Sequence, residues 1–179
     1  MRIITGTLKG RRLTAPDWPG LRPTSDKLRE TLFNILAPRI SGATLLDGYA
    51  GTGAVGIEAI SRGASHVTFV ERDARAVALI EANLRHCGVI DRHAIIRAGF
   101  AGTVRTPGRP PFDLIFIDPP YGAAELHDAL IAAEPLVGEG TLLIVEHAKR
   151  DQALDRIGHL ARVRVVTSGD SALGFYERG

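Results

Sequence analysis

Thr44-Leu45-Leu46-Asp47-Gly48-Tyr49-Ala50-Gly51-Thr52-Gly53-Ala54-Val55-Gly56 decides the fold. An apolar run ends in an acidic residue, glycines follow, and an apolar segment continues as Ala54–Arg62 to Gly63. This is the pattern of a buried strand, Thr44–Asp47, then a tight turn and a helix. The alternation repeats downstream. Strand His66–Glu71 precedes a helix that Asp73 can cap and that runs to Cys87, with Gly88 just past its end. Strand His93–Arg97, loop Gly102–Pro111, strand Phe112–Ile117, helix Glu125–Ala133 and strand Thr141–Glu146 follow. A short helix near Asp151–Ile157 then leads to strands Ala161–Thr167 and Ala172–Glu177, a hairpin turned at Ser168-Gly169-Asp170. Repeated β-α-β units dictate an α/β fold, a doubly wound and mainly parallel sheet of seven strands with helices on both faces.

Residues 1–39 read as an extension packed onto the domain formed by 40–179. Arg2–Thr5 and Arg11–Ala15 suggest a small hairpin around Gly6, Lys9 and Gly10. Thr24 or Ser25 can cap a helix whose apolar face is Leu28, Leu32, Ile35 and Leu36, and Pro38 ends it. The extension carries eight Lys or Arg against three acidic residues, whereas the whole 179-residue chain has a net charge of only +2. A basic arm on a weakly acidic body suits a polyanion. The single cysteine, Cys87, excludes an internal disulfide and a cysteine-based zinc site. No apolar run approaches the roughly 20 residues of a membrane span, and Met1–Gly6 lacks a signal-peptide core. The chain therefore reads as a cytoplasmic protein, by default a monomer. No pair of histidines has metal-ligand spacing, so no metal is proposed.

Ligands of such sheets bind at the C-terminal ends of the strands, and three strands end there in acidic residues: Asp47, Glu71 and Asp118. Gly51, Gly53 and Gly56 satisfy the dinucleotide spacing G-x-G-x-x-G. Asp47 opposes a pyrophosphate in that place, because like charges repel. S-adenosylmethionine, with its sulfonium and ammonium, suits it better. Asp47 would act on the ammonium and Glu71 on the vicinal ribose hydroxyls, while glycines let the backbone approach. At the other strand end, Asp118-Pro119-Pro120-Tyr121 makes a stiff polar corner with a ring beside it. Acceptors there can hold a planar amine while Tyr121 stacks on the base.

Together these segments resemble the RsmD-type 16S rRNA guanine-N2 methyltransferases over almost the whole chain. The resemblance rests on Arg2-Ile3-Ile4-x-Gly6-x-x-x-Gly10-Arg11-Arg12-Leu13, Arg22-Pro23-Thr24-x-Asp26-x-x-Arg29-Glu30-x-x-Phe33-Asn34, the Asp47–Glu58 loop and Asp118–Tyr121. It implies a class I S-adenosylmethionine-dependent methyltransferase fold, Rossmann-like, acting on the exocyclic amine of one guanine in small-subunit rRNA. It further implies 16S rRNA as partner, within a small subunit or its assembly intermediate. Carried over, Asp118, Pro119, Pro120 and Tyr121 are catalytic. Arg22, Pro23, Thr24, Asp47, Tyr49, Ala50, Gly51, Gly53, Glu71, Phe100 and Asp118 serve the cofactor, and Lys9, Arg11 and Arg12 grip RNA. The chain departs from the family where Asp47-Gly48-Tyr49-Ala50-Gly51-Thr52-Gly53 replaces Asp-Leu-Phe-Ala-Gly-Ser-Gly. It departs again at Arg97-Ala98-Gly99-Phe100, where no acidic residue awaits the adenine amine and Phe100 becomes the expected ring contact. Adenine-N6 methylation uses the same corner and is the alternative within this chemistry. A nicotinamide-dependent oxidoreductase is the alternative outside it, opposed by Asp47 and by the lack of a substrate domain.

Overall fold

The computed structural model describes residues 1–21, 24–103 and 112–179. Strands β1 (Thr44–Gly48), β2 (His66–Glu71), β3 (His93–Arg97), β4 (Leu114–Ile117) and β5 (Leu142–Ala148) lie parallel in the order β3-β2-β1-β4-β5. Three antiparallel strands, β8 (Ser171–Arg178), β7 (Leu160–Ser168) and β6 (Arg156–Ile157), extend the sheet beyond β5. Helices α1 (Asp26–Ile40), α2 (Ala54–Ser61), α3 (Ala74–His86) and α5 (Ala123–Ala133) join or flank the parallel strands, and α4 (Phe100–Thr103) is one turn.

Two apolar layers follow from the strand period of two. Leu45, Phe69, Phe116 and Ile144 share one core with Leu32, Phe33 and Leu36 of α1, Ile57 and Ile60 of α2, and Ile80 and Leu84 of α3. Leu46, Val70, Ile115, Ile117 and Val145 turn to the other face and meet Phe100, Leu126 and Leu130 of α4 and α5. Both faces of the central strands are buried, which is why Leu45-Leu46, Leu114–Ile117 and Leu142–Val145 are unbroken apolar runs. Helix α2 lies so close to β2 that a Cβ on Gly56 would stand 2.2 Å from Phe69 Cε1.

Three expectations are corrected. Residues 151–155 form no helix, because their carbonyls are taken elsewhere. Ala153 and Leu154 carbonyls accept from Arg162 Nη1 at 2.7 Å and the Tyr176 hydroxyl at 2.8 Å, and that of Asp155 accepts from the Arg162 N–H at 2.8 Å. Arg156–Ile157 instead pairs with β7 as an eighth strand of two residues. Pro38 does not end α1, which continues to Ile40. Proline lacks only its own N–H, and the last turn is held by buried Ile40 and by Arg39, whose Nη2 donates to the Gly140 carbonyl at 2.6 Å. Of the expected loop Gly102–Pro111, Gly102 and Thr103 belong to α4, and the rest, to Pro111, lies outside the described residues.

The N-terminal hairpin is one bridge, Arg2 with Arg12, flanked by an Ile3 N–H to Arg11 carbonyl bond of 2.9 Å. It is pinned to α2 and α3. The buried Glu58 carboxylate accepts from the N–H groups of Ile4 at 2.8 Å and Thr5 at 3.0 Å. Ser61 Oγ accepts from the Leu8 N–H at 3.0 Å. Asn83 accepts from the Thr14 N–H at 2.8 Å and donates to the Thr52 carbonyl at 3.0 Å.

Candidate active site at the strand C-termini

Strand register brings the motifs together. Gly48 pairs with Val70 on one side and Ile117 on the other, so the next residues, Tyr49, Glu71 and Asp118, emerge as neighbours. The order reverses here: β1 continues through α2 to β2, and β4 through α5 to β5 on the other side. Such a switch point opens a crevice at the strand ends. The Asp118 N–H points to the Gly48 carbonyl at 3.4 Å and so links the proline corner to the glycine turn.

The turn is shaped by its own backbone. Tyr49, Gly51 and Gly53 take φ of 59°, 56° and 77°, and Gly53 caps α2 without a side chain. Glycine adopts this left-handed geometry at no steric cost. Ala50 is buried, and its N–H donates to the Val70 carbonyl at 3.0 Å. Glu71 braces the loop, accepting from the Gly51 N–H at 3.0 Å and the Asp73 N–H at 2.9 Å. A carboxylate has about four lone-pair sites, so it retains acceptor capacity for hydroxyls. Phe100 packs under the turn. A Cβ on Gly48 would come within 2.8 Å of its ring, and the ring lies 5.3 Å from that of Tyr49. Phe100 is buried and Tyr49 half-buried, so Tyr49 presents the more accessible ring.

Asp47 is 1% exposed and accepts from the Gly56 N–H at 2.9 Å. Burial pushes its carboxyl up to about 8, with the Glu71 charge adding to the rise and the Gly56 bond opposing it. A group that costly to ionise fits a cationic partner, which would restore the charge. The consequence for stability has a definite sign. Between the ordinary value near 3.8 and about 8 the folded chain holds a proton that the unfolded chain has lost. Stability from this group is therefore full at low pH and is lost as pH rises through that window. Asp47→Asn is expected to flatten this slope and raise the thermal midpoint of the unliganded protein at pH 8. Parallel slopes for both proteins from pH 5 to 8 would rule that out.

The proline corner is anchored from the C-terminal strands. The hydroxyls of Tyr121 and Ser171 lie 3.0 Å apart, and the Gly122 N–H donates to Asp151 Oδ2 at 3.0 Å. Pro119 is buried and Pro120 exposed. Thr24 donates its hydroxyl to Glu146 Oε2 at 3.1 Å, and both residues are buried. Glu146 was missed, although it ends the apolar run Leu142–Val145 much as Asp47 and Asp118 end theirs. Arg22 and Pro23 lie outside the described residues; on either side of them, Leu21 is next to Gly51 and Thr24 next to Glu146.

Lys9, Arg11 and Arg12 are not brought to this edge. Arg11 Nη1 donates to the His86 carbonyl at 3.3 Å, at the C-terminal end of α3. Helix α3 starts at the crevice, so its 13 residues put Arg11, with Lys9 and Arg12 beside it, about 20 Å away. Cys87 caps the same remote end, buried, its thiol raised by burial.

A family described as Conserved hypothetical protein 95 matches residues 1–177. The ribosomal RNA small subunit methyltransferase D of Haemophilus influenzae is 37% identical over 181 residues, which cover 99% of this chain and 93% of that one. The chain belongs to this RsmD-type family. The family resemblance read from the motifs is thus borne out. Another member, from Escherichia coli, is 40% identical over 137 residues, covering 73% of this chain and 65% of that one. The solved structure of Escherichia coli yhhF, a candidate methyltransferase, superposes with a TM-score of 0.86 at 33% identity, covering 99% of this chain and 97% of that one. A candidate methyltransferase solved with SAH has a TM-score of 0.68 over 83% of this chain and 48% of that one; at 15% identity the likeness is one of fold. No helix among the described residues is long and apolar enough to cross a membrane.

Proposed function

We propose that the protein transfers a methyl group from S-adenosylmethionine to the exocyclic N2 of a guanine in 16S rRNA. The observation that carries this reading is the adjacency of the glycine turn and the Asp118–Tyr121 corner at the β1/β4 switch point. Family membership supports rRNA as the substrate class, and the names of the relatives above agree with it.

S-adenosylmethionine supplies an electrophilic methyl on a sulfonium. The residues of the chain do the rest. Asp47 faces the ammonium, Glu71 the ribose hydroxyls, and Tyr49, Ala50, Gly51 and Gly53 line the turn. The lone pair of guanine N2 is delocalised into the ring. Asp118 and the Pro119 carbonyl accept its two N–H bonds and turn the lone pair toward the methyl carbon. Orientation of this kind lowers a barrier without a strong base. As N2 gains the methyl it becomes cationic, the C–S bond breaks, and Asp118 stabilises the charge and receives the proton. Tyr121 stacks on a base taken out of its helix or loop. Residues 1–39 cover the cofactor with Arg22, Pro23 and Thr24, and bind RNA remote from the base through Lys9, Arg11 and Arg12.

Tyr121→Ala is expected to lower the transfer rate about 10-fold or more, base stacking being worth roughly 1–3 kcal/mol. Tyr121→Phe keeps the ring and loses the hydroxyl contact with Ser171, so its loss should be smaller. Equal losses would make the hydroxyl, not the ring, the functional group. The reading as a whole is tested by transfer of labelled methyl to small-subunit rRNA, free and in subunits lacking the modification. N2-methylguanosine in one oligonucleotide is the expected product; N6-methyladenosine would replace guanine by adenine, and absence of transfer would overturn the reading.

A further inference from the structure

The N-terminal extension runs along α3 in the opposite direction to the helix. Arg11 meets the His86 carbonyl at the C-terminal end. About one turn earlier, the Thr14 N–H donates to Asn83 Oδ1 at 2.8 Å, and Asn83 Nδ2 donates back to the Thr14 carbonyl at 3.2 Å. At the N-terminal end the Arg75 guanidinium carbon lies 5.1 Å from the centre of the Trp18 ring. Leu21 then reaches Gly51 in the glycine turn. One continuous path thus joins Lys9, Arg11 and Arg12 to the crevice, and Trp18 stands on it near the strand end Glu71. Trp18 is the single tryptophan of the chain, yet it belongs to neither apolar layer and is half-buried. Its partner Arg75 has 62% of its side chain exposed. Asp73 takes Arg75 Nε at 3.2 Å and Nη2 at 2.7 Å, one edge of a group with five N–H donors. The largest ring in the chain therefore serves no core and lies against an exposed cation.

We propose that Trp18 and Arg75 hold a nucleotide that flanks the target base: the indole stacks on the flanking base and Arg75 pairs with a phosphate beside it. This rests on rRNA as the substrate class, and not on which amine is methylated. Every base has a π-face, so a stacking platform grips a strand whatever its sequence. A guanidinium matches the oxygens of a phosphate. A ring and a cation side by side therefore fit a unit that carries both a base and a phosphate. S-adenosylmethionine does not fit them: it has no phosphate, and its net positive charge would be repelled by Arg75. The place on the path suits a strand held at two points, with the target base in the crevice and the remote end on Lys9, Arg11 and Arg12. Arg75, Ala78, Ala82 and Arg85 share one exposed side of α3. Small residues thus separate the cation near the crevice from the cation at the remote end, which leaves the strand room to pass.

The probe is small-subunit rRNA, free and in subunits lacking the modification. Trp18→Ala is expected to raise KM for the RNA about 10-fold or more, with kcat changed far less and cofactor affinity unchanged. Trp18→Phe keeps a ring and should recover most of that loss. Arg75→Gln should reduce the dependence of RNA affinity on salt by about one phosphate contact. The single tryptophan also reads the contact directly, because binding of free rRNA should quench its fluorescence. An unchanged KM for Trp18→Ala would overturn the proposal, as would a Trp18→Phe protein no better than Trp18→Ala. A parallel loss of cofactor affinity would overturn it too and give the ring to the cofactor. Should Trp18→Ala fail to fold, Arg75→Gln carries the test, and an unaltered salt dependence sinks the idea. Failure of the underlying reading looks different: the wild type would then bind no small-subunit rRNA at all.

Discussion

Asp118→Ala is expected to lower methyl transfer at least ~10³-fold while the protein still binds S-adenosylmethionine with its original affinity. The loss is large because two functions sit on one side chain. It orients the amine before reaction and meets the positive charge as the new N–C bond forms, and removal of one such electrostatic contact costs ~10²–10³ in turnover; misorientation of the lone pair adds to that. Cofactor binding should survive because the described loop contacts that hold the glycine turn, Glu71 to Gly51 and Asp47 to Gly56, do not involve the Asp118 side chain. The Asp118 backbone N–H, which faces Gly48, is present in alanine as well. Calorimetric titration with the cofactor beside single-turnover transfer separates the two. A variant that no longer binds the cofactor would move Asp118 from the amine to the cofactor.

Most of the sheet was legible because its strands are buried on both faces and bounded by turn residues. His66–Glu71 and His93–Arg97 were read to the residue. The three acidic strand ends could be found because charge at the end of an apolar run has no packing role. What escaped depends on partners distant in sequence. Nothing local in Asp151-Gln152-Ala153-Leu154-Asp155 says that Arg162 and Tyr176 will take its carbonyls. Thr24 and Glu146 are 122 positions apart, and only the fold makes them one unit. The basic arm shows the limit most clearly. Its charge suggested a polyanion surface, but charge does not report position: Arg11 lies at the end of α3 away from the crevice, whereas Leu21 and Thr24 of the same extension reach Gly51 and Glu146. Nothing local marks Glu58 or Arg29 for the interior, yet both are fully buried.

That buried pair carries the second large expectation. Glu58 accepts from the N–H groups of Ile4 and Thr5 and from Arg62 Nε at 2.8 Å, and its Oε2 stands 3.8 Å from Arg29 Nε. Arg29 Nη2 donates to Asp26 Oδ1 at 3.0 Å and also to the Arg2 carbonyl, while Nε and Nη1 find no hydrogen bond among the described residues. Burial lowers the Arg29 pKa, and the charges of Asp26 and Glu58 oppose that fall. Glu58→Ala removes one of those charges and strips two backbone donors of their acceptor at once. Breaking a buried pair from one side costs about 3–5 kcal/mol. In a chain of this size each kcal/mol moves the midpoint by about 2–4 °C, so a fall of at least ~6 °C is expected. Because Glu58 holds Ile4 and Thr5, trypsin should also cleave sooner after Lys9, Arg11 and Arg12. Glu58→Gln keeps an acceptor for the two N–H groups and should fall between the two in both readouts. A midpoint within ~2 °C of wild type for Glu58→Ala, with the arm still protected, would show that the arm is held without this carboxylate. Slower cleavage of every variant by added cofactor would instead tie the arm to the glycine turn. Leu21 at Gly51 and Thr24 at Glu146 are the contacts through which that coupling would pass.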